Sequence, residues 1–377
     1  MKWTDGKPSN ITLIGLTLLS ILVFIVAEQT AEPERQPYFD KKLDAAQLSL
    51  VAMQAIKNQT DMLGIKIDKQ NDPYATGIIG QENTMITSDR GVVTSKILST
   101  NPNYAAAFVD MLVKAKIKKH NIIAVGMTGS FPAWNISFLA ACKVMDIQPI
   151  IISSIGASDW GANIPALTWL DMEDVLRQKG ILPFKSVAAS IGGGSDNGRG
   201  LSPEGRDLIK EAIKRADVPM VNEPTLENNI NKRLEIYKNE SKEKPIACYV
   251  NIGGGVASVG GSLNARLIPP GLTQHLAVKN FPVRAVINQM AEQGMPVINL
   301  LDVEKIALKY NFPVEVGEEA PKLGEGSLFF KDRYSVSSTI MLTFILVLIV
   351  FVMIRIDVKH YLFKKKKQGI QIQEQNS

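Results

Sequence analysis

The stretch Ser190–Gly205, "SIGGGSDNGRGLSPEG", holds residue types that cradle phosphates: clustered glycines, an acid, an arginine and a helix start at Ser202–Pro203. Two nucleotide motifs can be tested against it. A dinucleotide fingerprint needs G-x-G-x-x-G; Gly192 and Gly194 fit, but Asn197 stands at the third position. A P-loop needs G-x-x-x-x-G-K-[ST]; Gly193 and Gly198 have the spacing, but Arg199 replaces the lysine and Gly200 replaces the magnesium-binding hydroxyl. A carboxylate suits the loop better, because N–H groups at a helix start attract any anion and Arg199 offers a planar fork. The plain alternative is that Ser202 only caps a helix and Arg199 only faces water.

A second candidate is Ser130 in "VGMTGSFP". A serine on a sharp strand-to-helix turn resembles the nucleophile elbow G-x-S-x-G, but the flanks here read T-G-S-F-P. A nucleophilic serine also needs a base within reach. His120 precedes a predicted strand, at the wrong end of a sheet, which leaves His275 in "LTQHLAV". Ser130 and His275 are therefore the catalytic candidates, set against an ordinary half-buried histidine. As ligand-binding groups the loops offer the hydroxyls of Thr128, Ser130 and Ser195, the carboxylates of Asp159 and Asp196, the amides of Asn163 and Asn251, and Arg199. No carboxylate or Cys/His spacing matches a metal site, so no metal and no cofactor is expected.

These residues share one feature that the surrounding elements explain. "NIIAVG", "IQPIIISS", "KSVAASI", "KPIACYVNI" and "MPVINL" read as short strands, mostly continuous apolar runs. Such runs fit a parallel sheet covered on both faces. Between them lie helices such as "PAWNISFLAACKVM" and "SPEGRDLIKEAIKRA". Alternating strands and helices imply right-handed crossovers and an α/β domain with a doubly wound, mostly parallel, Rossmann-like sheet, preceded by a helical lead-in over "LDAAQLSLVAMQAIKNQ". The four segments that leave the first four strands are all rich in Gly, Ser and Asn. In open parallel sheets a ligand sits beyond the carboxyl ends of the strands, so that rim is the expected site.

The 377-residue chain carries a formal net charge of +5. Of its 42 Lys+Arg and 37 Asp+Glu, the first ten residues hold two and one, and the stretch after Ile354 holds six and two, so the rest cancel at 34 each. A nucleic-acid-binding domain carries its charge on the folded part, so nucleic acid is not an expected partner. The uncharged runs 11–27 and 336–354 read as transmembrane helices. A cleaved signal peptide competes for the first run, but Ile25 is a poor −3 residue. "KHYLFKKKK" after the second run places that end in the cytoplasm. The expected organisation is a cytoplasmic N-terminus (1–10), a transmembrane helix (11–27), an extracytoplasmic domain (28–335), a second transmembrane helix (336–354) and a basic cytoplasmic tail (355–377). Cys142 and Cys248 sit in apolar settings, as buried thiols do.

The combination of "VGMTGSFPAWNISFLAAC", "SSIGASDWGANIPALTWLDME" and "IGGGSDNGRGLSPEGRDLI" between two apolar ends resembles the bacterial poly-gamma-glutamate system protein family, most clearly over 101–313. The resemblance implies an accessory component of poly-gamma-glutamate synthesis or export, working at the membrane beside other proteins of that pathway. It brings no catalytic residues with it. Three functions follow as expectations: a domain that binds the polymer or a glutamyl end, a hydrolase or transferase acting on the polymer through Ser130 or Ser195, and a scaffold for pathway partners.

Overall fold

A computed structural model describes residues 10–277 and 279–355. The chain divides into two compact units, one over Gln36–Phe329 and the other made of the segments up to Arg35 and from Phe330.

The larger unit is built on a seven-stranded sheet. Its strands are β1 (Ile122–Thr128), β2 (Gln148–Ser154), β3 (Ala188–Ser190), β4 (Met220–Val221), β5 (Ile246–Ile252), β6 (Gly271–Thr273) and β7 (Val297–Leu300). Their spatial order is β6-β7-β5-β1-β2-β3-β4. All neighbours are parallel except the edge pair β6–β7, so the sheet is mixed. The five strands expected from the sequence are present. The two-residue β4 and the three-residue β6 are too short to carry a period, and they were not expected.

Alternation along the strands sends side chains to two buried layers. Ile123, Val125 and Met127 join a core built from the helices Phe39–Met62, Tyr104–Lys114 and Pro132–Met145, while Ala124, Ile150 and Ile152 join a second core under Leu226–Glu240 and Val286–Glu292. The first core is pinned by aromatics. Trp134 meets Tyr104 at 5.1 Å and Phe108 at 5.8 Å between ring centroids, both edge-on, as ring quadrupoles favour. Cys142 and Cys248 are free buried thiols whose pKa values burial raises.

The chain steps outward from β1 through β2 and β3 to β4, then returns to place β5 on the other side of β1. The order therefore reverses between β1 and β5. A crevice opens beyond the carboxyl ends of strands at such a switch point, where successive connections leave in opposite directions.

One buried acid lies away from that crevice. Glu173, in the helix Trp169–Gln178, is fully enclosed and accepts hydrogen bonds from the Ser186 N–H and from Ser186 Oγ at 2.8 Å. Burial pushes its pKa up to about 7, against the opposing effect of Ser186. A raised carboxyl pKa favours folding below the unfolded value of 4.5, and that contribution is lost as pH rises to about 7. Glu173→Gln is expected to gain on the wild type by about 3 kcal/mol across this window. Urea unfolding at a series of pH values measures it, and a pH-independent difference contradicts it.

The smaller unit pairs Glu32–Arg35 with Phe330–Arg333 as antiparallel strands, closed by Arg333 to Glu34 at 2.7 Å and by the Tyr334 hydroxyl donating to Glu28 at 2.8 Å. The apolar runs fold as the helices Asn10–Gln29 and Val336–Arg355. Among the described residues, however, no helix is long and apolar enough to cross a membrane. Each helix has 20 residues, about the number of apolar residues that a span takes, and not all of them are apolar. Glu28 and Gln29 end the first stretch with polar groups, and Ser337, Ser338 and Thr339 begin the second with them. The expected transmembrane helices at 11–27 and 336–354, and with them the two-pass location with an extracytoplasmic domain, are corrected on this finding. The N-terminus before Asn10 and the basic tail beyond Arg355 lie outside the described residues.

Candidate functional site

At the switch point lies a cleft of about 440 Å³. Its floor comes from the strand ends: Thr128 at the end of β1 and Ser130 after it, Ser154 at the end of β2 and Gly156 after it, Gly193 and Gly194 after β3, and Gly254 and Gly255 after β5. The glycine- and serine-rich segments expected on one rim do converge on one cavity. One wall is the segment Ser88–Lys96, which ends in the helix Val93–Ser99. Gly253 shows why glycine is needed here. It has φ +90°, and a Cβ would stand 2.1 Å from Thr128 Oγ1.

Several amides of the Ser190–Gly205 loop are already used within the loop, so it does not form the continuous amide cradle of a phosphate site. Gly198 N–H donates to Gly192 O at 2.7 Å, Gly194 N–H to Arg199 O at 2.9 Å and Asp196 N–H to Gly193 O at 3.1 Å. At its centre Asp196 is completely buried and paired with Arg233, from the helix Leu226–Glu240, at 2.9 Å. Asp196 also accepts from Ser190 Oγ at 2.7 Å and Ser154 Oγ at 3.0 Å, and Arg233 donates to both hydroxyls. This network anchors the loop from beneath and holds Ser154 in the cleft floor. The helix start at Ser202 is capped within the chain, with Ser202 Oγ accepting from Gly205 N–H at 3.0 Å.

The other candidates are dispersed. Arg199 is exposed and lies against Gly194, outside the cleft lining. The Ser195 carbonyl accepts from Asn229 Nδ2 at 3.1 Å. Asn163 is buried and ties its hairpin to Gln81 and Thr87. Asn251 lies under the Gly253 turn, donating to Gly253 O at 2.8 Å and to Asn299 Oδ1 at 2.9 Å. Asp159 stands behind the wall and accepts from Gly91 N–H at 3.2 Å. His275 is exposed just after β6. Because β6 runs antiparallel, with Thr273 opposite Val297 at the start of β7, the chain leaves it at the end of the sheet away from the cleft. His275 is therefore not a base for Ser130. His120 likewise sits at the far end, 3.5 Å from Asp146.

Sequence reasoning missed the residues that give the cleft its charge. Arg90 lines the wall, exposed, with no side-chain partner among the described residues. The amides of Gly193, Gly254 and Gly255 also donate to nothing among the described residues. Lys96 is only 3% exposed. Its Nζ donates to Ser158 Oγ at 2.7 Å and to the Ser130 carbonyl, and it lies 4.2 Å from the centre of the Phe131 ring. Burial pulls its pKa down to about 7, with Asp159 opposing. Nothing in "VTSKILST" marks this lysine as buried, since its partners are distant in sequence. Among the described residues no cluster of His, Cys, Asp or Glu could hold a metal ion.

The chain matches no family model, no curated protein and no solved structure.

Proposed function

We propose that the chain serves poly-gamma-glutamate synthesis or export, and that its cleft holds a glutamyl end of that polymer. One observation carries the reading: each of the three segments in which the sequence resembles the poly-gamma-glutamate system family contributes lining to the cleft, where Arg90 and three unspent glycine amides also lie. The polymer presents a free carboxylate on every residue, joined by amides. A guanidinium fork and backbone N–H groups suit those carboxylates. Serine and threonine hydroxyls suit the amides. Because the body of the chain has no net charge, attraction is local to the cleft and the ligand is a chain end rather than a long polyanion.

Arg90→Glu is expected to weaken binding of a synthetic γ-linked glutamate oligomer by about 10–100-fold, the worth of one charge-assisted contact. Titration calorimetry on the full chain measures it. Arg199→Glu, outside the cleft, is expected to change affinity little. Equal losses from the two, or none from Arg90→Glu, reject the site.

A further inference from the structure

The binding reading leaves the most enclosed part of the cleft without a task. Lys96 and Ser158 both line the cavity, and their Nζ and Oγ atoms stand 2.7 Å apart. Ser158 is held from two further sides. Its N–H donates to Ser130 Oγ at 3.1 Å, and its backbone pairs with Asp89 in a short parallel ladder. Lys96 is fixed by the Ser130 carbonyl and by the Phe131 ring. No histidine lies near, and the basic group in contact with the Ser158 hydroxyl is this amine. We infer that Ser158 is a nucleophile and Lys96 its general base, acting on an amide or ester carbonyl seated in the cleft. The choice of a γ-glutamyl amide as substrate rests on the function proposed above; the dyad itself does not.

In its neutral form Lys96 keeps two N–H groups, one for the Ser130 carbonyl, and has a lone pair for the Ser158 hydroxyl proton. Burial makes that form available near neutrality, with a pKa of about 7. Asp159 is the charge acting against it, and Asp89 and Arg90 line the same cavity. As Ser158 Oγ bonds to the carbonyl carbon, its proton passes to Nζ and the carbonyl π pair moves to oxygen. The tetrahedral adduct collapses, the C–N bond breaks and the leaving amine takes the proton from the Lys96 ammonium. Water then adds to the acyl-serine ester, giving its proton to Nζ. The ester C–O bond breaks, and Ser158 recovers its proton from Lys96. The net reaction is hydrolysis; an amine in place of water gives transfer.

The test is labelling of the full chain with a fluorophosphonate, which reads nucleophilicity without requiring the true substrate. The adduct is expected on Ser158 by peptide mass spectrometry, absent in Ser158→Ala, and formed about 100-fold more slowly in Lys96→Met, the usual scale of general-base assistance. In the wild type the labelling rate is expected to rise with pH through about 7, a response that a purely structural lysine would not produce. An adduct on Ser130, no adduct on any serine, or a pH-independent rate overturns the dyad. Labelling of Ser158 without cleavage of the γ-linked oligomer keeps the dyad and rejects that polymer as its substrate. Oligomer binding without labelling keeps the binding site and rejects the dyad.

Discussion

Asp196→Asn is expected to lower the unfolding free energy by about 3–5 kcal/mol, the cost of stranding a buried partner charge. Arg233 is 2% exposed and has Asp196 as its only acidic partner among the described residues. Asparagine keeps the size of the side chain and tolerates the left-handed backbone at this position, φ +61°, so the loss reports the charge and not the turn. Combining it with Arg233→Met removes both charges and is expected to recover part of the loss, because an apolar pair needs no desolvation. Chemical denaturation of both variants measures this. The same substitution is expected to disturb the cleft, since Ser154 Oγ donates to Asp196 and also lines the cavity. A loss below about 1 kcal/mol, the range of exposed pairs, contradicts the anchoring role.

The second large effect concerns Lys96. A lysine whose folded pKa falls from 10.5 to about 7 binds its proton more weakly in the folded state than in the unfolded one. Its contribution to stability is complete above 10.5 and is lost as pH falls to about 7. The change across that window is on the order of 3–5 kcal/mol. Wild-type stability should rise over this range relative to Lys96→Met, which lacks the titrating group. Lys42, also lowered by burial, and Tyr237 and Tyr249, raised by burial, titrate in both proteins, so the difference isolates Lys96. Parallel pH profiles for the two proteins would mean that Lys96 is not desolvated. A residue that costs stability at neutral pH and lines a cleft has the character of a functional group rather than a packing one.

Much of this arrangement was legible in the residues. The apolar runs over Ile122–Thr128, Gln148–Ser154 and Ile246–Ile252 are strands because both of their faces are covered, and the glycine-rich segments that follow them share one rim. Ser202 caps a helix as its type and the following proline suggested. What sequence could not reveal depends on pairs far apart in the chain. Asp196 has the type and setting of a ligand group, but Arg233, 37 residues on, turns it into an anchor. Lys96 meets Ser158 across 62 residues; the segment of Ser158 belongs to the expected rim, but nothing in either segment marks the pair. His275 follows the glycine-rich segment that leaves β5, but the three residues of β6 run antiparallel and carry it to the other end of the sheet. The apolar ends do form helices, but length and apolarity among the described residues fall short of a span.

The central claim is that the switch-point cleft is where this protein meets its ligand. Photo-crosslinking with a γ-linked glutamate oligomer that carries a diazirine, followed by peptide mapping on the full chain, tests it most directly. Crosslinks are expected in Ser88–Lys96 and in the segments leaving β1, β2, β3 and β5. Crosslinks confined to the groove between Leu50 and Leu323, a separate cavity of about 220 Å³, or to the His275 end of the sheet, would contradict it.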